Sequence, residues 1–232
     1  MHVIVGTSGY SYKEWKGTFY PKTLPASQML SFYAANFGAV EINNTFYRMP
    51  AETTLAKWAS EVPDEFTFVL KAPAWITLSR NFDSAAGLRR FFDIGSALGA
   101  KFGPALLRRE QVDGLRELLA AVPKGRRVCV EIRHESWKDA EVVAALREHD
   151  AALCIADTDD VADPDDMLVT TASWGYLRLR RTDYSDEQLA AWAKRVTAQP
   201  WSHAYVFFKH EDEGKGPVFA KRFLKLLGND SH

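Results

Sequence analysis

Eight short apolar, β-rich runs recur along this chain, and stretches of helical period separate most of them. The runs are HVIVG (2–6), AVEIN (39–43), FTFVLK (66–71), GPALL (103–107), RVCVEIR (127–133), AALCIAD (151–157), GYLRLR (175–180) and AYVFFK (204–209). Strands that alternate with helices need crossover connections, and crossovers build parallel sheets. Eight such units point to an α/β fold, a closed (β/α)8 barrel of the TIM type. At 232 residues it is a compact one, since about 250 is typical. The alternative, an open doubly wound sheet, lacks support from any G-x-G-x-x-G or G-x-x-x-x-G-K-S/T loop. No linker, low-complexity stretch or charge block divides the chain, so residues 1–232 read as a single domain.

The helical stretches carry boundary signals of their own. Ser27 is placed to cap ASQMLSFYAANF, Gly99 to end SAAGLRRFFDIGSALG, and QVDGLRELLAAV stops before Pro123. Further helices are expected in ETTLAKWASEV, DAEVVAALREH, SDEQLAAWAKRV and GPVFAKRFLKLLG. The stretch TDDVADPDDMLVTTAS after the sixth run is a poor helix, so the sixth unit should be irregular.

Charge excludes some function classes. With 29 basic and 30 acidic residues, the chain makes no overall electrostatic bid for nucleic acid or an anionic membrane. No apolar run approaches the roughly 20 residues of a membrane span, and MHVIVGTSGY reads as a strand rather than a signal peptide. Cys129 and Cys154 lie in strand-like runs and read as buried thiols in a reducing, cytoplasmic setting.

Strand alternation locates the candidate site. Side chains on a strand point alternately to opposite faces. Val40 and Ile42 therefore face the helices, while Glu41 and Asn43 face inward. The same phase sends Phe68 and Leu70 outward, and Val69 and Lys71 inward. It also sends Glu131 and Arg133 inward, with Tyr176, Arg178 and Arg180 on the seventh strand. The sixth strand ends on Asp157 and the eighth run on Lys209. These polar residues cluster at the C-terminal strand ends, where barrel enzymes build their sites. Their alternative use is a self-satisfied ion network, although buried ion pairs stabilise weakly against packed apolar residues.

Two further features bear on the site. The loop GTSGYSYKEWKGTFYPKTLP (6–25) carries Tyr10, Tyr12, Trp15, Phe19 and Tyr20. Aromatics there either stack on a ligand or plug the barrel mouth, and Gly6 and Gly9 permit close backbone approach. VEINNTFY (40–47) and VEIRHESW (130–137) also echo each other three strands apart.

VGTSGYSYKEWKGTFYP, VEINNTFYRMP, FTFVLKAP, VEIRHESW and YLRLR occur in that order. Together they resemble the YecE-like family, domain of unknown function 72, over nearly the whole chain. The resemblance implies a TIM-type barrel without supplying a reaction. It brings forward Gly6 to Tyr10, Trp15, Glu41, Asn43, Thr45, Phe46, Tyr47, Lys71, Pro73, Glu131, Arg133, His134, Trp137, Asp157 and Arg178. The chain departs from the family pattern in three places. After the fourth strand it reads GPALLRREQVDGL instead of Gln-Leu-Pro-Pro and a longer loop. Arg180 and Arg181 replace a common His-Gly pair, and FFKHEDEGKG replaces an Asn-rich turn.

The expected chemistry is metal-free acid–base catalysis on a small anionic, sugar-like substrate. Glu131, Glu41, Lys71 and Asp157 are the candidate catalytic groups. Arg133, Arg178, Asn43, His134, Tyr10, Trp15 and Tyr47 are the candidate binding groups. No cofactor is expected, because the six histidines are scattered. A divalent cation on Glu41, Glu131 and Asp157 is the alternative. A retaining glycosidase would need its two carboxylates about 5–5.5 Å apart. The competing class is a non-catalytic binder of a metabolite or, less favoured, of nucleic acid through Lys13, Lys16, Lys22 and the aromatics. No membrane partner is expected, and the sequence defines no oligomeric state.

Overall fold

Each of the eight apolar runs forms a strand. The computed structural model describes residues 1–77, 83–109, 114–132, 139–210 and 214–228. The strands are β1 (His2–Ser8), β2 (Ala39–Ile42), β3 (Thr67–Lys71), β4 (Phe102–Arg109), β5 (Val128–Ile132), β6 (Ala152–Asp157), β7 (Gly175–Leu179) and β8 (His203–Phe208). They pair in parallel in chain order, and β8 closes on β1, giving a (β/α)8 barrel. Among the described residues the α-helices are α1 (Met29–Ala34), α2 (Glu52–Ser60), α3 (Ala74–Thr77), α4 (Asp83–Gly95), α5 (Leu115–Ala120), α6 (Ala140–Glu148), α7 (Asp186–Thr197) and α8 (Lys215–Leu226).

Local chemistry explains the helix ends, with two departures from expectation. Helix α7 starts at a full capping box, in which Ser185 accepts from the Gln188 amide and Gln188 bonds back. Helix α1 is not capped by Ser27, which lies inside a 3-10 turn (Ala26–Gln28) that leads into Met29. Helix α4 ends at Gly95, earlier than expected, and Gly99 takes φ 61° inside the following 3-10 turn. After β6 the chain makes only a 3-10 turn, Pro164–Met167, so the sixth unit is irregular as expected.

Alternation divides the core into two layers. Val40, Ile42, Phe68, Leu70, Val130, Leu177 and Leu179 pack outward under the helices. Val69, Leu106, Cys129, Cys154, Tyr176, Tyr205 and Phe207 fill the barrel lumen. Cys129 and Cys154 are buried free thiols on neighbouring strands. The wall is not uniform. Strands β1 and β8 stay in register over six residue pairs, but β5 and β6 over only two, Cys129 with Ala152 and Val130 with Leu153. Among the described residues, β6 stays in register with β7 from Cys154 to Asp157.

Gly6 marks the opposite extreme of wall packing. A Cβ there would lie 2.0 Å from the Ala39 carbonyl oxygen and 3.1 Å from the Tyr33 hydroxyl. That hydroxyl donates to Ala39 O and accepts from Thr7 N, tying α1 across β1 and β2. The close approach at Gly6 therefore serves strand pairing. Gly6→Ala is expected to cost about 1–3 kcal/mol, as overpacking does, read as a lower urea midpoint with unchanged far-ultraviolet circular dichroism.

Candidate functional site

The C-terminal mouth of the barrel is organised by one guanidinium. Arg178, on β7, is almost fully buried. Its Nη2 donates to Glu41 Oε1 at 2.9 Å and its Nη1 to Glu131 Oε1 at 2.9 Å. The carboxylates delivered by β2 and β5 are thus joined through a residue of the opposite wall. Glu41 Oε1 also accepts from Ser8 Oγ at 2.7 Å and Asn43 Nδ2 at 3.2 Å, and Oε2 accepts from the Tyr176 hydroxyl at 2.5 Å. Arg180 Nη1 reaches the Glu131 oxygen at 3.4 Å.

These contacts set protonation. Burial pushes the Glu41 carboxyl up, but Arg178 and the donors Tyr176 and Ser8 outweigh it, even against the like charge of Glu131. Glu41 therefore lies below its ordinary value. Burial and the adjacent Glu41 hold the Tyr176 phenol well above its usual range, so it remains a donor. A carboxylate with four donors and depressed basicity is poorly suited to accept a proton. Glu41 acts as the anchor that aims Arg178.

Lys71, at the end of β3, is handled differently. It is 7% exposed, and among the described residues its Nζ makes no hydrogen bond and no ion pair. It sits 4.6 Å from the centre of the Phe46 ring. Burial and the Arg178 guanidinium lower it to about 8, against the upward pull of Glu131 and Glu41. Arg108 shares this corner, with its guanidinium 5.9 Å from the same ring. Among the described residues, four cations, Lys71, Arg108, Arg178 and Arg180, lie near two carboxylates, Glu41 and Glu131.

Beside this cluster lies a cavity of about 400 Å³. Glu131, Arg180 and Asp160 supply polar wall, while Ile132, Leu153, Val161 and Met167 supply apolar wall. The stretch after β6 contributes Asp160, Val161 and Met167 to its lining, together with Ile132 of β5.

Several expected site residues lie elsewhere. Asp157 does not join the mouth. It follows Ile155 in outward phase and accepts from Arg181 Nε at 2.8 Å, Tyr184 hydroxyl at 2.9 Å and Trp192 Nε1 at 2.8 Å. It locks α7 to the barrel, and the trio Glu41, Glu131 and Asp157 is not brought together to hold a cation. Trp15 is fully buried against Tyr12, Phe19 and Tyr20, so it packs the first loop and offers no stacking face. Tyr10 lines a separate groove with Leu30 and Trp58, between α1 and α2. Tyr47 is 84% exposed, edge-on to Phe46. Arg133 and His134, like Trp137, lie outside the described residues. One mouth residue, Arg108, escapes the sequence reading, and Ser8 is brought forward only by the family resemblance. Arg108 lies past the end of its apolar run, and continuing the alternation from Leu106 would have reached it. Among the described residues, no group of three or more His, Cys, Asp or Glu side chains could hold a metal ion. No described helix is long and apolar enough to cross a membrane.

The fold and the charged mouth define a TIM-type barrel with a polar C-terminal site. The family model described as "Protein of unknown function DUF72" matches residues 4–232, and the chain belongs to that family. The UPF0759 protein YecE of Escherichia coli (strain K12) is 30% identical over 115 residues, 47% of this chain and 42% of that relative. The matched stretch thus spans less than half of the curated relative. Among solved structures, a DUF72 family protein from Thermotoga maritima MSB8 superposes with a TM-score of 0.83 at 25% identity, over 98% of this chain and 100% of that one. A DUF72 family protein from Enterococcus faecalis V583 gives 0.79 at 17% identity, over 97% and 95%. A xylose isomerase-like TIM barrel/4-hydroxyphenylpyruvate dioxygenase fusion protein gives 0.56 at 14% identity, over 99% of this chain and 43% of that one. The last two likenesses concern the fold alone.

Two substitutions separate the anchors. Arg178→Met strands two buried carboxylates and is expected to cost about 3–5 kcal/mol at neutral pH. Glu41 has a depressed folded value, so its stabilising contribution is present above its unfolded value and lost as pH falls through the folded one. The deficit of Arg178→Met, measured by urea unfolding, should accordingly shrink towards acid pH. Asp157→Ala orphans three donors and should cost a similar amount, about 3–5 kcal/mol, while leaving ligand-induced thermal shifts unchanged.

Proposed function

We propose that this protein is an enzyme that takes a small anionic metabolite into the cavity beside Glu131 and works on it by proton transfer. The observation that carries the reading is the gathering of cations at the mouth among the described residues. Two carboxylates already share Arg178, yet Lys71, Arg108 and Arg180 stand close by. Holding several cations together in a partly desolvated space is unfavourable, and a phosphate or carboxylate group relieves it. Arg180 both lines the cavity and is partly exposed, so it is the natural contact for that anion. The apolar wall of Ile132, Leu153, Val161 and Met167 would take the remainder of the substrate.

The roles follow from the contacts. Glu131 borders the cavity and is the carboxylate placed to exchange a proton with a bound molecule. Arg178 fixes its orientation, and Glu41 fixes Arg178. A retaining glycosidase suits this geometry less well, because both carboxylates are tied to one guanidinium and the surroundings are cationic. A purely binding role uses the same anion contacts and is separated by turnover.

Thermal unfolding with inorganic phosphate, sugar phosphates and organic acids tests the anion site. A ligand at one hundred times its Kd should add about 2.7 kcal/mol and raise the midpoint by a few degrees. Arg180→Gln should reduce the response at least several-fold. Equal shifts in wild type and Arg180→Gln, or shifts with neutral sugars only, would overturn the proposal.

A further inference from the structure

Lys71 is an expensive residue in its position. A buried ammonium ordinarily acquires a carboxylate partner, because unpaired charge in a desolvated site is costly. Two buried carboxylates lie in the same mouth, yet both are committed to Arg178. Among the described residues Lys71 Nζ has no hydrogen bond and no ion pair, and its one contact with another side chain's polar or aromatic face is the Phe46 ring. Its backbone is firmly held, because Thr45 Oγ1 donates to both Lys71 O and Ile42 O. The side chain therefore starts from a fixed backbone and, among the described residues, has no acidic partner.

Such a lysine is suited to nucleophilic catalysis, which requires a neutral amine. We infer that Lys71 forms an imine with the carbonyl group of an anionic substrate, an oxo acid or a phosphorylated aldehyde or ketone. This rests on the reading of the mouth as an anion site and names the substrate class more narrowly. Burial, Arg178 and Arg108 all disfavour the ammonium, while Glu131 and Glu41 favour it, and the balance lies at about 8. A substantial fraction of the amine is then neutral near pH 7.5, where an exposed lysine is almost wholly protonated.

The step balances without a redox partner. The Nζ lone pair adds to the carbonyl carbon, and the carbonyl oxygen takes up the proton that nitrogen releases, giving a carbinolamine. That oxygen then accepts one proton from solvent and leaves as water, while nitrogen forms the C=N bond. One amine, one carbonyl and one proton become one protonated imine and one water. The iminium draws electrons from the adjacent carbon, which suits isomerisation, dehydration or carbon–carbon cleavage next to the carbonyl. Glu131 is the carboxylate available there for proton transfer.

Reductive trapping tests the inference. The full chain is incubated with glyoxylate or dihydroxyacetone phosphate and sodium cyanoborohydride, and adducts are mapped by peptide mass. Lys57, whose side chain is 71% exposed, is the internal control. Lys71 should be modified about tenfold or more faster than Lys57 at pH 7.5, with a half-maximum near pH 8. Lys71→Met, which replaces a buried charge by an apolar chain of similar length, should fold and lose this adduct. Labelling of Lys71 no faster than Lys57, in a protein whose midpoint still rises with phosphate, would overturn the imine and leave the anion site standing. Fast labelling of Lys71 that excess inorganic phosphate does not slow would support the nucleophile and count against the anion site.

Discussion

The rest of the mouth depends on the forked contact of Arg178 with Glu41 and Glu131. A guanidinium presents donors in a fixed plane, so one residue can satisfy carboxylates arriving from two other strands. Glu41 needs more than that contact, and Ser8, Asn43 and Tyr176 supply it. Four strands, β1, β2, β5 and β7, are therefore coupled through a few polar atoms above the apolar lumen. Such a network is a weak source of stability compared with packed hydrocarbon. Its effect is positional: it holds Glu131 at the edge of the cavity with one oxygen already engaged.

The two Val-Glu-Ile motifs acquire a shared meaning here. Each puts a glutamate inward at the end of a strand, and both glutamates end on the same arginine. Their environments nonetheless diverge. Glu41 is enclosed by donors, whereas Glu131 lines the cavity. The irregular sixth unit, TDDVADPDDMLVTTAS, supplies part of the cavity wall through Asp160, Val161 and Met167.

Lys71 completes the contrast. The arginines that flank it raise the cost of its charge, and the carboxylates that partly relieve it are themselves paired with Arg178. The same interaction that secures Glu41 as an anion therefore leaves a lysine poised between its two protonation states.

Much of the fold was legible in the sequence. Eight β-rich runs are separated in most cases by helical stretches, an order that a closed parallel barrel accommodates throughout. Alternation also placed Glu41, Lys71, Glu131 and Arg178 correctly, because a strand's pleat is a local property of the backbone. Asp157 goes to the mouth only when it is read as a polar residue at a strand end, without its phase being followed. Its phase with Ile155 turns it towards Tyr184 and Trp192 on the helix side. Residue type alone did not separate Trp15 and Tyr10, which pack among other side chains, from aromatics open to a ligand. The amino-acid sequence by itself determined which side chains face the lumen, since that follows from local geometry. Only the tertiary structure decided which of them pair, which lysine has no acid partner among the described residues, and which side chains line the cavity, because those depend on strands far apart in the chain meeting in one register.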